Sequence, residues 1–171
     1  GRFLLGPELE AFERDFAAFT GRRHAVGVAS GTDALRLALA AVGVGPDDEV
    51  IVPGLTAVPT LAAVCALGAT PVPVDVDEAS GAIDPREARR ALGPRTRAIV
   101  PVHLYGRPAE AEVRELVALG LPVVDDAAHA HGALRGGATI AAAYSFYPTK
   151  NLGGIGDGGA VVTDDDALAE R

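Results

Sequence analysis

Cysteine occurs once in these 171 residues, at Cys65, which excludes an internal disulfide and fits a reducing, cytoplasmic setting. Its neighbourhood is rich in alanine and helical in composition, so a small buried residue is expected there rather than a nucleophile. Positive charge is also scarce. Fifteen Lys and Arg against 23 Asp and Glu leave a net charge of −8, which argues against nucleic acid or an anionic membrane as partner. No apolar run approaches the roughly 20 residues of a membrane span, and the N-terminus has no signal-peptide pattern. Repeats, low-complexity tracts and linkers are missing as well. There is no methionine; the chain opens on Gly1-Arg2 and closes on a helix-like Ala167-Leu168-Ala169-Glu170-Arg171, so a piece of a longer protein is expected. The last scarcity is lysine. Lys150 is the only one, and every other Lys or Arg position holds arginine. Arginine stays charged at any working pH, whereas a desolvated lysine can lose its proton and attack a carbonyl.

What is present is enough apolar material, 49% of residues, for one domain with a core. Leu9, Phe12, Phe16 and Phe19 recur at helical spacing and predict an amphipathic helix from Pro7 to Phe19. Short apolar runs then alternate with helical segments. Strands are expected at His24–Ala29, Glu49–Pro53, Thr70–Val76, Arg97–Val102, Leu121–Asp125, Ala141–Phe146 and Gly159–Thr163. Helices are expected over Ala34–Ala40, Thr56–Leu67, from Asp84-Pro85 onward, and over Ala109–Leu119. Continuous apolar strands alternating with helices predict an α/β fold, a mostly parallel sheet covered on both faces. Only a glycine-rich loop joins the sixth and seventh strands, too short for a helical crossover, so the seventh is expected to run antiparallel or to sit elsewhere in the sheet.

Ligands of such sheets bind beyond the carboxyl ends of the strands. The polar residues expected there are Ser30-Gly31-Thr32-Asp33, Pro53-Gly54-Leu55-Thr56, Asp75, His103, Asp125-Asp126 and the turn from Ser145 to Lys150. Ser30-Gly31-Thr32 opens a helix and supplies free N–H groups for an anion, most naturally a phosphate, unless it is only a helix cap. Ser145 can add a hydroxyl to the same anion. A buried aspartate at position 125 or 126 needs a partner: a metal, a backbone cap, or a protonated ring nitrogen. His129 and His131 beside them are a weak metal signal, because residues i and i+2 share no helix face. Gly154-Ile155-Gly156-Asp157-Gly158-Gly159 matches the dinucleotide fingerprint G-x-G-x-x-G, but it precedes a β-rich run instead of a helix. A dinucleotide-binding oxidoreductase and a non-catalytic regulatory protein are therefore rival readings.

Taken together, Ser30 to Leu35, Val102-His103-Leu104-Tyr105-Gly106, Asp125 to Gly132 and Ser145 to Gly159 resemble the pyridoxal-phosphate sugar aminotransferases of the DegT/StrS type. The likeness runs nearly the whole chain. It implies a fold-type I large domain over residues 1–171, with a seven-stranded sheet whose last strand is antiparallel and with a smaller C-terminal domain outside this chain. It implies pyridoxal 5'-phosphate as cofactor and no metal. Lys150 becomes the Schiff-base lysine, Asp126 the partner of the pyridinium nitrogen, and His129 a neighbour of the ring and its hydroxyl. Gly31, Thr32 and Ser145 would hold the phosphate. The implied reaction moves an amino group from an amino acid, by resemblance L-glutamate, to a nucleotide-linked keto sugar in a homodimer; another amine acceptor on the same fold is the nearer alternative. Some relatives that remove a hydroxyl carry histidine in place of this lysine, so Lys150 favours transamination. Three departures stand out. Ala57 occupies a position where the family often has an aromatic over the ring face, the stretch from Arg135 to Ala141 is short, and the Ala109–Gly120 helix is trimmed.

Overall fold

The computed structural model describes residues 5–171. Its elements run α1 (Pro7–Thr20), β1 (His24–Val28), α2 (Gly31–Ala41), β2 (Glu49–Pro53), α3 (Val58–Cys65), β3 (Thr70–Val74), α4 (Pro85–Arg90) and β4 (Thr96–Ile99). A 3₁₀ turn (Leu104–Gly106) follows, then α5 (Glu110–Val117), β5 (Val124–Asp126), β6 (Ala141–Ser145), β7 (Gly159–Thr163) and α6 (Asp166–Glu170). Every expected strand and helix is present, with ends displaced by one to three residues in most cases. The 3₁₀ turn had no counterpart in the sequence reading.

One ladder runs β1-β7-β6-β5 and a second β3-β2-β4. Parallel bridges Ile99–Val123 and Val102–Asp126 join them, giving the order β3-β2-β4-β5-β6-β7-β1. β7 is antiparallel to both β1 and β6, and the other pairings are parallel. Composition explains the edge: β3 carries Pro71 and Pro73, two residues apart, so both missing N–H groups fall on one side of the strand. A strand lacking those donors can pair only through its other side, and β2 takes it.

Alternation along the strands sends side chains to two faces. Val50 and Val52 of β2, with Ala141 and Ala143 of β6, pack against Leu35, Ala38 and Leu39 of α2 and Ala63 and Val64 of α3. Ile51 and Ile99 face the other way, toward Ala88 of α4 and Leu116 of α5. Ala142 and Tyr144 also face that way, toward Phe16 of α1. Phe12 and Phe16 meet Phe146 edge-on, so α1 braces the end of β6 that leads to Lys150.

Cys65 corrects an expectation. It is exposed, not buried, because α3 turns Thr60, Ala63 and Val64 inward and position 65 lies outside that stripe.

Candidate active site

Beyond the carboxyl ends of the parallel strands lies a cavity of about 400 Å³. Gly31, Thr32, Asp126, His129, Ser145 and Lys150 all line it, so the six residues singled out from the sequence meet in one place.

One wall is the start of α2. Ser30 caps the helix: its Oγ accepts from the Asp33 N–H at 3.1 Å, and Asp33 is tied back to Arg36 at 3.0 Å. The N–H groups of the first turn have no intrahelical acceptor, and the helix dipole adds partial positive charge. A Cβ on Gly31 would lie 2.5 Å from the Ser145 Cβ and 2.9 Å from its Oγ. Only glycine lets the β1–α2 turn and the Ser145 hydroxyl converge there. Ser145, at the last position of β6, is buried, and its Oγ accepts from the Tyr147 N–H at 3.3 Å.

The floor is Asp126. Its neighbour Asp125 points to the opposite face of β5, so the two carboxylates do different work. Asp126 Oδ2 accepts from Thr60 Oγ1 at 2.8 Å and Oδ1 from the Ala128 N–H at 3.2 Å. Thr60's proton is thereby committed, so the 2.7 Å contact between Thr56 and Thr60 is a donation from Thr56. The chain Thr56→Thr60→Asp126 holds the carboxylate from α3.

Asp125 lies behind the sheet. It accepts from Thr139 Oγ1 at 2.5 Å, and its Oδ1 is 3.1 Å from the buried His103 Nε2. This removes His103 and Asp125 from the site. Asp75 is exposed and lies outside the cavity as well. No cluster suited to a metal ion occurs among the described residues. Gly154 to Gly159 lie in the β6–β7 loop and lead into a strand, without the helix a dinucleotide cradle needs.

Lys150 is half-buried in a turn closed by its N–H on the Tyr147 carbonyl at 2.8 Å. Burial lowers its pKa below the ordinary lysine value, and the Asp126 carboxylate opposes that shift. His129 is also shifted down, first by burial and then by the Lys150 charge, again against Asp126. The cavity therefore holds a lysine biased toward the free amine and an imidazole biased toward neutrality. Thr60 was missed by the sequence reading as a site residue. Its only signal is the Thr56/Thr60 pair at i, i+4 after a strand end.

A mostly parallel seven-stranded sheet with one antiparallel strand, carrying a lysine on the loop before it, defines a fold-type I pyridoxal-phosphate-transferase large domain. The chain belongs to the DegT/DnrJ/EryC1/StrS aminotransferase family, whose profile matches residues 1–171. It is 57% identical to a dTDP-3-amino-3,4,6-trideoxy-alpha-D-glucose transaminase of Streptomyces venezuelae, covering 100% of this chain and 47% of that protein. It is 45% identical to a UDP-2-acetamido-2-deoxy-3-oxo-D-glucuronate aminotransferase of Pseudomonas aeruginosa, covering 99% of this chain and 49% of the other. The crystal structure of S. venezuelae DesV in complex with a ketimine intermediate superposes with a TM-score of 0.94 at 57% identity, over 100% of this chain and 48% of that one. The chain thus spans about half the length of the curated relatives it matches.

Proposed function

We propose that residues 1–171 are the cofactor-binding large domain of an aminotransferase that uses pyridoxal 5'-phosphate to move an amino group from an amino acid, L-glutamate, to a nucleotide-linked keto sugar. The observation that carries this reading is the convergence of the only lysine, a carboxylate fixed by two threonines, and an anion cradle in one cavity. The residues suit the cofactor's chemistry. Gly31 leaves space at the Ser145 hydroxyl that a Cβ would fill, and the α2 N-terminus offers N–H groups to a phosphate. Asp126 offers a carboxylate to a protonated ring nitrogen.

When bound, pyridoxal phosphate supplies an electron sink that makes a Cα–H bond of the substrate breakable. Asp126, held by Thr60 and the Ala128 N–H, keeps a negative charge where the ring nitrogen must stay protonated. Lys150 Nζ, favoured in its free-amine form by burial, would anchor the cofactor and, once displaced by the substrate amine, would be the base that takes the Cα proton. Thr32 and Ser145, which both line the cavity, would bind and orient the phosphate.

The complete enzyme is a cytoplasmic homodimer, and a further domain and the second subunit complete the sugar site. An uncovered apolar rim supports this: Leu55, Val58, Tyr147, Leu152 and Ile155 are all exposed at the cavity end of the sheet. With a net charge of −8 and no helix among the described residues long and apolar enough to cross a membrane, neither nucleic acid nor membrane is assigned as a partner.

The test is borohydride fixation of pyridoxal phosphate on the intact protein, followed by peptide mapping and a transamination assay with glutamate and a nucleotide-linked keto sugar. The expected adduct is on Lys150 and disappears in Lys150→Ala. An adduct elsewhere, or none, sinks the assignment; a Lys150 adduct with turnover only of a non-sugar acceptor confines the error to the substrate.

A further inference from the structure

Tyr105 and Gly106 are consecutive residues in the left-handed region, at φ 57° and 78°. For tyrosine that conformation is strained and persists only where its surroundings enforce it. Here the enforcing contacts lead to His129. The Tyr105 N–H points at His129 Nδ1 at 3.4 Å. The two rings lie nearly parallel, 16° apart in plane with centroids 6.4 Å apart. A Cβ on Gly106 would sit 3.0 Å from the His129 carbonyl oxygen, so the turn passes close to that residue's backbone and has no room for a larger side chain there. The Gly106 N–H on the His103 carbonyl at 3.2 Å and the Arg107 N–H on the Leu104 carbonyl at 3.1 Å close the turn.

A ring nitrogen that accepts a hydrogen bond carries no proton, so a neutral imidazole accepting at Nδ1 is protonated at Nε2. We propose that the Tyr105–Gly106 turn is a positioning element that fixes His129 in the Nε2–H tautomer, making it a hydrogen-bond donor into the cavity. Two charged groups of the cavity act on this imidazole: Lys150 disfavours its protonated form, Asp126 favours it, and burial sides with Lys150. The donor therefore belongs to a neutral ring, suited to an anionic or phenolic oxygen on the ligand. That this oxygen is the ring hydroxyl of pyridoxal phosphate rests on the function proposed above; the tautomer does not.

The experiment is side-chain nitrogen NMR of the intact protein labelled with ¹⁵N-histidine, without and with pyridoxal phosphate. The His129 signals are assigned by their loss in His129→Gln. The expected spectrum near neutral pH has a proton on Nε2 and none on Nδ1, in both forms. Tyr105→Gly keeps the N–H and relieves the strain, so it leaves the tautomer unchanged. Gly106→Ala pushes the turn away, mixes the two tautomers, and shifts the pH midpoint of the cofactor's visible band in the loaded protein. A wild-type Nδ1–H tautomer overturns the proposal, as does Gly106→Ala with a wild-type spectrum. The wild-type measurement decides even if that variant fails to fold. Failure of the Lys150 adduct instead refutes the cofactor reading and leaves the tautomer result standing.

Discussion

At Lys150 burial lowers the ammonium pKa while the Asp126 carboxylate raises it, and burial is the larger effect. Between its pKa in the fold and the ordinary 10.5, this lysine is a free amine at pH values where a solvated lysine is still an ammonium. Adduct formation with pyridoxal phosphate should therefore rise with pH through a midpoint below 10.5 and level off above that midpoint. Asp126→Asn removes the opposing charge, so its midpoint should fall further; a stopped-flow pH series measures both, and an upward move would reverse the assignment. Thr60 is the second residue at which this balance can be tested. A hydrogen bond to a charged group is worth about 1.5–3 kcal/mol, so Thr60→Val should weaken pyridoxal phosphate binding by about tenfold or more. Equilibrium titration of the cofactor's absorbance would show it; an unchanged Kd would mean that Thr60 does not hold Asp126. Lys150 was legible in the sequence because it is chemically alone among arginines. Thr60 was not, because its role depends on α3 docking its first turn beside β5, a contact 66 residues long in sequence. Cys65 misled for a related reason: Ala62, Ala63, Val64, Cys65 and Ala66 include no charged residue to mark the face turned to solvent.

The strands of this sheet announce themselves because each is a short apolar run between turn residues, and in β2, β6 and β7 burial on both faces leaves no room for polar alternation. The antiparallel course of β7 followed from the length of the loop before it. The Leu104–Gly106 turn was illegible, since nothing local to Tyr105 favours the left-handed region; the distant His129 and the 3₁₀ hydrogen bonds impose it. β5 shows the same limit. Two adjacent aspartates look alike in sequence, yet pleating gives one to the cavity and the other to a buried lattice behind it. There Arg22 donates to the Thr139 hydroxyl at 3.0 Å and to its carbonyl at 3.1 Å, and Thr139 donates to Asp125. His103 in turn accepts from the Ala109 N–H at 3.0 Å, just before α5. This lattice ties the chain after α1, β5, and the approaches to α5 and β6 to one another. A hydrogen bond to a charged group is worth about 1.5–3 kcal/mol. Asp125→Ala, which strands the buried Thr139 hydroxyl, and Thr139→Val, which strands the Asp125 carboxylate, should each lose about that much in urea unfolding. Losses below about 0.5 kcal/mol, the range of ordinary surface changes, would show that the lattice does not hold β5 in place.

At the scale of the whole molecule, the distribution of apolar surface is the informative feature. Two faces of the sheet are covered by helices, yet the edge carrying the cavity exposes Leu55, Val58, Tyr147, Leu152 and Ile155, the last without any cover at all. Leu55 and Val58 come from the loop after β2 and the start of α3, and Tyr147, Leu152 and Ile155 from the loop after β6, far apart in sequence and brought to one end of the sheet by the parallel course of those strands. Single exposed apolar side chains are ordinary, but several gathered around one opening mark a surface made for contact. A second subunit seated there would cover the rim and close the cavity against water, which strengthens every charge interaction inside it. Dimer formation and cofactor retention are then linked, because a ligand bound across an interface stabilises the assembled state by mass action. The double variant Val58→Asp, Ile155→Asp places two carboxylates in the rim without touching Lys150, Asp126 or the α2 turn. Sedimentation velocity of the intact wild-type protein should give a dimer that keeps pyridoxal phosphate through desalting. The variant should sediment as a monomer and release it, while its circular dichroism stays that of the parent. A wild-type monomer that retains the cofactor, or a monomeric variant that binds it as tightly, would show that one subunit makes the site alone.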